Sequence, residues 1–594
     1  MGDQLPTAGT PGPEPGWRQA SQTAEVIEPR ADAVVRRYFD HWDLVALLAL
    51  TAVAFVLRYF SPTMPDFFLH PFQGPIFSDC VSNTPINAEG DPGTLCGLAY
   101  PFMRGYPDSN GDLSPSNGQV FDEVYFPYDA YNDLKGLQDC RPSMVKDVYG
   151  ARPPDACQLN YFDPEPPLGK LFIGAGEWGY GWYRAHFEGA KGDYIDLGLN
   201  TFGWRIAACI FGTLCVPMMY LFARRLWPNR IFAIAAAILV CFDGMFFVQS
   251  RIGMIDIFPI FFIMLAYFLY LVHVQSRTPR GSLISLVLLG LVVGVGIATK
   301  WIVLAAFASI VFLLVIRAVR RVVNIHIGMS SNPIWEWGKG EGPAVPGGAN
   351  LPVYLLVAVI ALVAIPAVVY VASWYPFFAR GQFHTLTDLI DYQKSSFEYH
   401  AHLVATHPYG SPWWSWPFLS RPVLYYAEYT GLGVDKFTGQ PLVAWMSNLG
   451  NPWIWWTSLP CVLALPYFIV RHKSFAATVI LIGFITQYLP WSQISRVIFM
   501  YHMFGGLIFM ILALAFVLAQ IAERMPKPGR RLVAAHLAIA VAFFMYFYPV
   551  WTALPISSSA LYISDGTPIW GPKIWLVHCT PDLPPEKPQL WCWS

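Results

Sequence analysis

An all-α, polytopic membrane fold is predicted by three observations. The 594-residue chain is 55% hydrophobic and 16% aromatic but only 13% charged, far more apolar than a soluble globule. Its apolar residues gather into runs of roughly 17 to 25, long enough to cross a ~30 Å hydrocarbon core as helices. Its Lys and Arg residues fall on alternate connections between those runs.

Taken in order, residues 1–41 are rich in Pro, Gly, Thr and Glu and carry too little apolar surface to order themselves, so a flexible cytoplasmic tail is expected. They lack the compact apolar stretch and cleavage site of a removable signal, which makes the first span, 42–60, a retained anchor. Ten further spans are expected near 203–223, 230–248, 253–274, 282–299, 301–317 and 351–372, then 452–470, 474–490, 497–521 and 532–553, about eleven in all. Spans 2–7 thus occupy 201–372 and spans 8–11 occupy 451–553. The basic clusters Arg36/Arg37, Arg224/Arg225/Arg230, Arg277/Arg280, Arg317/Arg320/Arg321, Arg471/Lys473 and Arg524/Lys527/Arg530/Arg531 place their loops and the N-terminus in the cytoplasm. The large segments 61–200 and 373–450 and the tail 554–594 then face outside.

Cysteine usage agrees with this topology. Cys80, Cys96, Cys140 and Cys157 lie in the first outer loop and Cys579 and Cys592 in the outer tail, while the other four lie in spans. Even numbers in an oxidising compartment predict disulfides, and four loop cysteines allow three connectivities.

Asp122 and Glu123 stand side by side in that first loop. Carboxylates at the mouth of a membrane bundle are costly to hold, which marks them as functional candidates. Neighbouring residues of an extended segment point to opposite faces. They are therefore ill placed to flank one bond at ~5–5.5 or ~6.5–9.5 Å, as the carboxyl pair of a glycoside hydrolase does. One carboxylate as a base and the other as an orienting partner is the reading adopted.

Arg58, Arg205, Arg251, Lys300, Arg380 and Arg496 each sit at the outer end of a span, against the usual charge bias. Singly, each is equally well explained by snorkelling to headgroups; together they are placed to surround an anion, and a lipid-linked phosphate fits that depth. A sugar leaving such a phosphate departs as a stable anion, so the reaction calls for cations and one base rather than a general acid.

Downstream, the prolines before Lys170 suit a helix start, and 166–182 is expected to be an interfacial helix with Lys170 facing the headgroups. A polar helical stretch near 384–405 carries His384, His400 and His402. Residues two apart on a helix diverge, so no metal site is expected there. Trp413, Trp414 and Trp416 are expected in the interfacial aromatic belt. Asp243 and Asp256 both lie near Arg251 in sequence; an ion pair with Arg251 is expected for Asp256, and Asp243 is left open.

An ordered series of motifs goes further: FDEVYF at 121–126, PPLGK at 166–170, FGWRIAACIFGTL at 202–214, FDGMFFVQSRIGMIDIF at 242–258, TKW at 299–301, HPYGSPWWSWPFLSRP at 407–422, GNPWIWW at 450–456 and RVIFMYH at 496–502. With these the chain resembles the bacterial protein O-mannosyltransferases, which belong to the C-type glycosyltransferase superfamily. The resemblance implies that superfamily's fold, with Asp122 as the base that activates a Ser or Thr hydroxyl and Glu123 beside it. It implies a polyprenyl-phosphate-mannose donor, transfer with inversion, no nucleotide sugar and no cofactor. Lys170, Arg205, Arg251, Arg496 and His502 are then expected to contact the donor phosphate or sugar. Exported proteins as acceptors, membrane lipids and contact with the export machinery are expected at the plasma membrane, and no nucleic acid.

Three departures stand out. Glu165 replaces a family His, the stretch between the first span and Asp122 is unusually long, and 373–450 lacks the β-trefoil of eukaryotic relatives. A lipid-carrier glycosyltransferase acting on a glycolipid or cell-envelope glycan is the alternative reading. A transporter would instead require paired broken helices with polar groups near the midplane.

Overall fold

The computed structural model describes residues 39–59, 120–136, 163–323, 345–403, 407–428, 434–435, 438–554, 556–561, 577–578 and 592–593. The expected insert before Asp122 and Cys80, Cys96, Cys140, Cys157 and Cys579 lie outside them, and Cys592 is described only as backbone. Among the described residues no disulfide forms; Cys209, Cys215, Cys241 and Cys461 are free and buried.

Helix α1 (His41–Tyr59) is followed by a 3-10 turn (Phe121–Val124) and α2 (Phe126–Lys135). Then come α3 (Leu168–Phe187), α4 (Tyr194–Gly198), α5 (Thr201–Leu226), α6 (Arg230–Cys241) and α7 (Gly244–Gln249). They are followed by α8 (Ile257–Val274), α9 (Pro279–Thr299), α10 (Val303–Val323), α11 (Leu351–Ser373), α12 (Tyr375–Ala379) and α13 (Leu386–His402). Strands β1 (Leu424–Glu428) and β2 (Leu442–Ser447) precede α14 (Pro452–His472), α15 (Phe475–Tyr488), α16 (Phe504–Arg524) and α17 (Pro526–Phe547). Strand β3 (Ile556–Ser557) completes an antiparallel sheet of order β1-β2-β3.

Side-chain caps start most of these helices. Asn200, Asn229, Thr278, Asn350, Thr385, Asn451 and Ser474 each accept a backbone N–H from the first turn that follows. Among the described residues nine helices are long and apolar enough to span a membrane, and Arg230–Cys241 and Val303–Val319 are shorter apolar helices. The expected third span, 230–248, is broken in two. Asp243 leaves helical geometry and its Oδ1 accepts Met245 N at 3.0 Å and Phe246 N at 3.1 Å, capping α7 afresh. Its Oδ2 takes Asn451 N and Trp455 Nε1 from α14, so the break also ties the two halves of the bundle together.

Helix α16 is almost wholly buried and forms the centre, whereas α11 is almost wholly exposed at the lipid-facing edge. At one end of α1, buried Asp43 accepts hydrogen bonds from Tyr220 (2.5 Å) and Arg224 (2.9 Å) and pairs with Arg230. That cluster fixes α1 against α5 and α6.

Candidate active site

The site is built around the 3-10 turn that carries Asp122 and Glu123. Glu123 is fully buried. Its two oxygens accept Arg205 Nε at 2.6 Å and Nη2 at 2.5 Å, Gly253 N at 2.6 Å and Val120 N at 2.9 Å. A carboxylate with four donors is well compensated for its burial. It anchors the turn to the first turn of α5 and to the connection before α8. The expected extended segment is thus a tight turn, and the two carboxylates diverge because Glu123 is drawn into the bundle.

Phe121 pays for this turn with φ +50, a region bulky residues avoid. Its ring is held by Tyr425 of β1, stacked at 4.5 Å, and by the edge of Tyr501 at 6.4 Å. Tyr425 is in turn fixed by Gln249 Nε2 at 2.7 Å, so the small sheet serves to clamp the turn.

Asp122, half-buried, has no side-chain hydrogen bond among the described residues. Around it stand Asp256, Lys300 and Glu165. Burial pushes its carboxyl up to about 7; Asp256 and Glu165 add to the rise and Lys300 opposes it. Lys300, at the C-terminal end of α9, lies 2.8 Å from Asp256 Oδ1 and 3.7 Å from Glu165 Oε1. Burial works against its charge, but the two carboxylates outweigh that and hold the ammonium above the usual lysine range.

Arg496 and His502 flank the same space from the segment before α16. His502 is in electrostatic reach of Lys300, Arg496 and His400. Its Nδ1 lies 3.0 Å from Phe499 N, and its ring packs on Tyr501 (4.7 Å) and Trp491 (4.4 Å). His400 of α13 completes the wall, with Nε2 3.3 Å from Pro164 O and its ring against Trp301. His402 points away, exposed, as the spacing requires.

The six outer cations do not converge on one anion. Arg205 is taken up by Glu123, and Arg380 pairs with Asp133 at 2.6 Å. Arg251 is buried over the Phe247 ring at 4.8 Å, and Arg58 is buried beside Cys241. Asp256 pairs with Lys300 and not with Arg251: the partner adjacent in sequence faces another side of the bundle.

Lys170 does not face headgroups either. It is fully buried, in a salt bridge with Asp163, and burial lowers its ammonium to about 8. The exposed side of α3 carries Trp178, Trp182 and Phe187. Trp416 departs from the expected belt as well, buried beside His502 and Trp491, whereas Trp414 is exposed. Asp256 and Glu165 join Asp122 at the site without having been expected there, and Lys300, expected as one of six cations around an anion, stands among these three acids instead. Thr299-Lys300-Trp301 was the available signal: a lysine closing a span beside a motif.

Residues 156–380 match the family described as dolichyl-phosphate-mannose-protein mannosyltransferase, and 385–570 match the C-terminal four TMM region of protein-O-mannosyltransferase. The polyprenol-phosphate-mannose–protein mannosyltransferase of Mycobacterium tuberculosis is 24% identical over 516 residues, covering 77% of this chain and 88% of its own. The enzyme of that name from Corynebacterium glutamicum is 28% identical over 426 residues, 65% of this chain and 77% of its own. The fold is that of the Saccharomyces cerevisiae protein O-mannosyltransferase Pmt1-Pmt2 complex bound to the sugar donor, with a TM-score of 0.59 at 14% identity, over 89% of this chain and 92% of that one. With both halves of the chain matched in order, and with the C-type glycosyltransferase architecture beneath them, the protein belongs to the protein O-mannosyltransferase family.

Proposed function

We propose that this multi-pass membrane protein transfers mannose from polyprenyl-phosphate-mannose to Ser/Thr hydroxyls of exported proteins, with inversion, at the outer face of the plasma membrane and with its N-terminus in the cytoplasm. The observation that carries the reading is Asp122: a half-buried carboxyl raised to about 7, set among Lys300, Asp256 and Glu165. A base of that strength is matched to removing a hydroxyl proton near neutral pH. As the hydroxyl oxygen bonds to the anomeric carbon, Asp122 takes its proton. The bond from that carbon to the phosphate oxygen breaks, and its electron pair leaves with the lipid phosphate. Lys300 and Arg496 are the cations assigned to receive that charge. His502 supports the same wall. The chemistry calls for no resident cofactor.

Other expected donor contacts take different tasks in this reading. Arg205 holds Glu123, and Lys170 holds Asp163, so both position the site from behind. Arg251 lies within electrostatic reach of Arg205 and serves the same framework. Exported chains, delivered as they emerge from the export machinery, are the proposed acceptors.

Replacing Asp122 with Asn tests the base. Mannose transfer from purified donor to a Ser/Thr peptide is expected to fall at least about 100-fold, with thermal stability in detergent unchanged. Full transfer by that variant overturns the assignment. Mass spectrometry of secreted proteins from a deletion strain tests the acceptor: loss of hexose from Ser/Thr peptides is expected, and unchanged peptides with an altered envelope glycan identify the other acceptor class.

A further inference from the structure

Lys300 is shared among three acids that reach it from three parts of the chain. Asp256 Oδ1, before α8, is 2.8 Å away; Glu165 Oε1, before α3, is 3.7 Å away; and Asp122, before α2, is in electrostatic contact. A lysine paired directly with Asp122 would stabilise the ionised carboxylate and make it a poor base. Asp256 and Glu165 together draw the ammonium aside.

Glu165 is delivered to this place by a rigid segment. Pro166 restricts it to an extended backbone. Its N–H donates to Asp163 Oδ1 at 3.1 Å, and its carbonyl accepts Lys170 Nζ at 3.3 Å. Asp163 is itself clamped at both backbone groups by the Tyr392 hydroxyl, and His400 Nε2 reaches the Pro164 carbonyl. Five hydrogen bonds therefore fix three residues of chain, of which Glu165 directs its carboxylate at the site.

We infer that Glu165 is a positioning residue for mannose transfer: with Asp256 it holds Lys300 off Asp122 and adds a second negative charge beside the base, keeping Asp122 basic. The inference rests on Asp122 being that base. The groups facing Asp122 are Asp256, Lys300, Glu165, Tyr425 and Tyr501, and those facing Glu165 also include His400 and Tyr370. Burial and Asp256 remain in place when Glu165 is neutralised, so the change isolates its own contribution.

The test is the pH profile of kcat/KM for the full-length protein in detergent, with polyprenyl-phosphate-mannose and a Ser/Thr peptide, comparing wild type with Glu165→Gln and Glu165→Asp. Glu165→Gln is expected to move the acidic limb to lower pH by about half a unit, with a plateau reduced a few-fold and an unchanged KM for the peptide. Glu165→Asp, which keeps the charge but shortens its reach, is expected to shift less. A limb that stays at the wild-type pH in folded Glu165→Gln overturns the inference, because a purely structural glutamate would lower the plateau without moving it, and so does a Glu165→Asp limb that moves as far as that of Glu165→Gln. So does failure of both variants to accumulate, which would make Glu165 a folding residue. Asp122→Asn run alongside separates the two readings: residual full activity there sinks the base itself, whereas an inactive Asp122→Asn with an unshifted Glu165→Gln profile sinks only the role of Glu165.

Discussion

Glu123 and Asp122 differ by one methylene and one position, yet the charges around them give opposite physical consequences to their removal. Neutralising Glu123 strips Arg205 of its carboxylate partner, and breaking a buried pair from one side costs about 3–5 kcal/mol. Glu123→Gln is therefore expected to lower the unfolding temperature in detergent and lose activity together, while Asp122→Asn loses activity alone; equal stability of the two variants would contradict the pairing. For the wild type the sign of the pH dependence follows from the raised carboxyl. Asp122 must be ionised to accept a proton, so kcat/KM is expected to rise with pH through about 7, and a limb near the ordinary aspartate range would show that burial does not govern this group. The pair itself was legible in the sequence because acids are rare at the mouth of an apolar bundle. The division of labour was not, since it is set by Arg205 and Gly253, which lie 82 and 130 residues away along the chain. Asp256 failed for the same reason: its true partner, Lys300, is 44 residues on, whereas Arg251 is near only in sequence.

Helices α3, α4 and α5 meet backbone to backbone, and this contact sets where the segment bearing Glu165 enters the site. A Cβ at Gly198 would lie 1.7 Å from the Glu177 carbonyl oxygen of α3, and one at Gly203 would lie 1.9 Å from the Gly198 carbonyl oxygen. Small residues allow such close approach within a membrane bundle, and no flexible side chain is available here to yield. Gly198→Ala must push α3 outward, so a stability loss of at least about 1–3 kcal/mol is expected, with a lower kcat because α3 carries Lys170 and its hold on Asp163. Thermal unfolding and single-turnover rates check both parts, and a fully stable, fully active Gly198→Ala variant would refute the close contact. Most spanning elements were legible because an apolar run of sufficient length leaves the backbone few alternatives to helix. The interruption at Asp243 was hidden: Phe242 and Met245–Val248 continue the apolar run across it, and only the burial of that carboxylate between two helix starts reveals a new cap.

Across the whole molecule the two ends of α5 connect chemistry to topology. Arg205 in its first turn holds Glu123, and Arg224 near its last turn holds Asp43. Nineteen residues of helix separate them by about 28 Å, close to a hydrocarbon thickness. The turn bearing Asp122 and Glu123 and the Arg224, Arg225 and Arg230 cluster therefore lie at opposite ends of the bundle. Basic loops are retained on the cytoplasmic side, so the proposed orientation has the Asp122 end outside. The antiparallel sheet lies at the Asp122 end, since Tyr425 of β1 stacks on Phe121, and the turn at Gly439 between β1 and β2 is exposed there. An epitope inserted after Gly439, an exposed tip suited to insertion, is expected to bind antibody on intact cells stripped of their outer wall. An N-terminal epitope is expected to bind only after permeabilisation. The inverse pattern would place the base in the cytosol, away from any exported acceptor, even if every contact around Asp122 were correct.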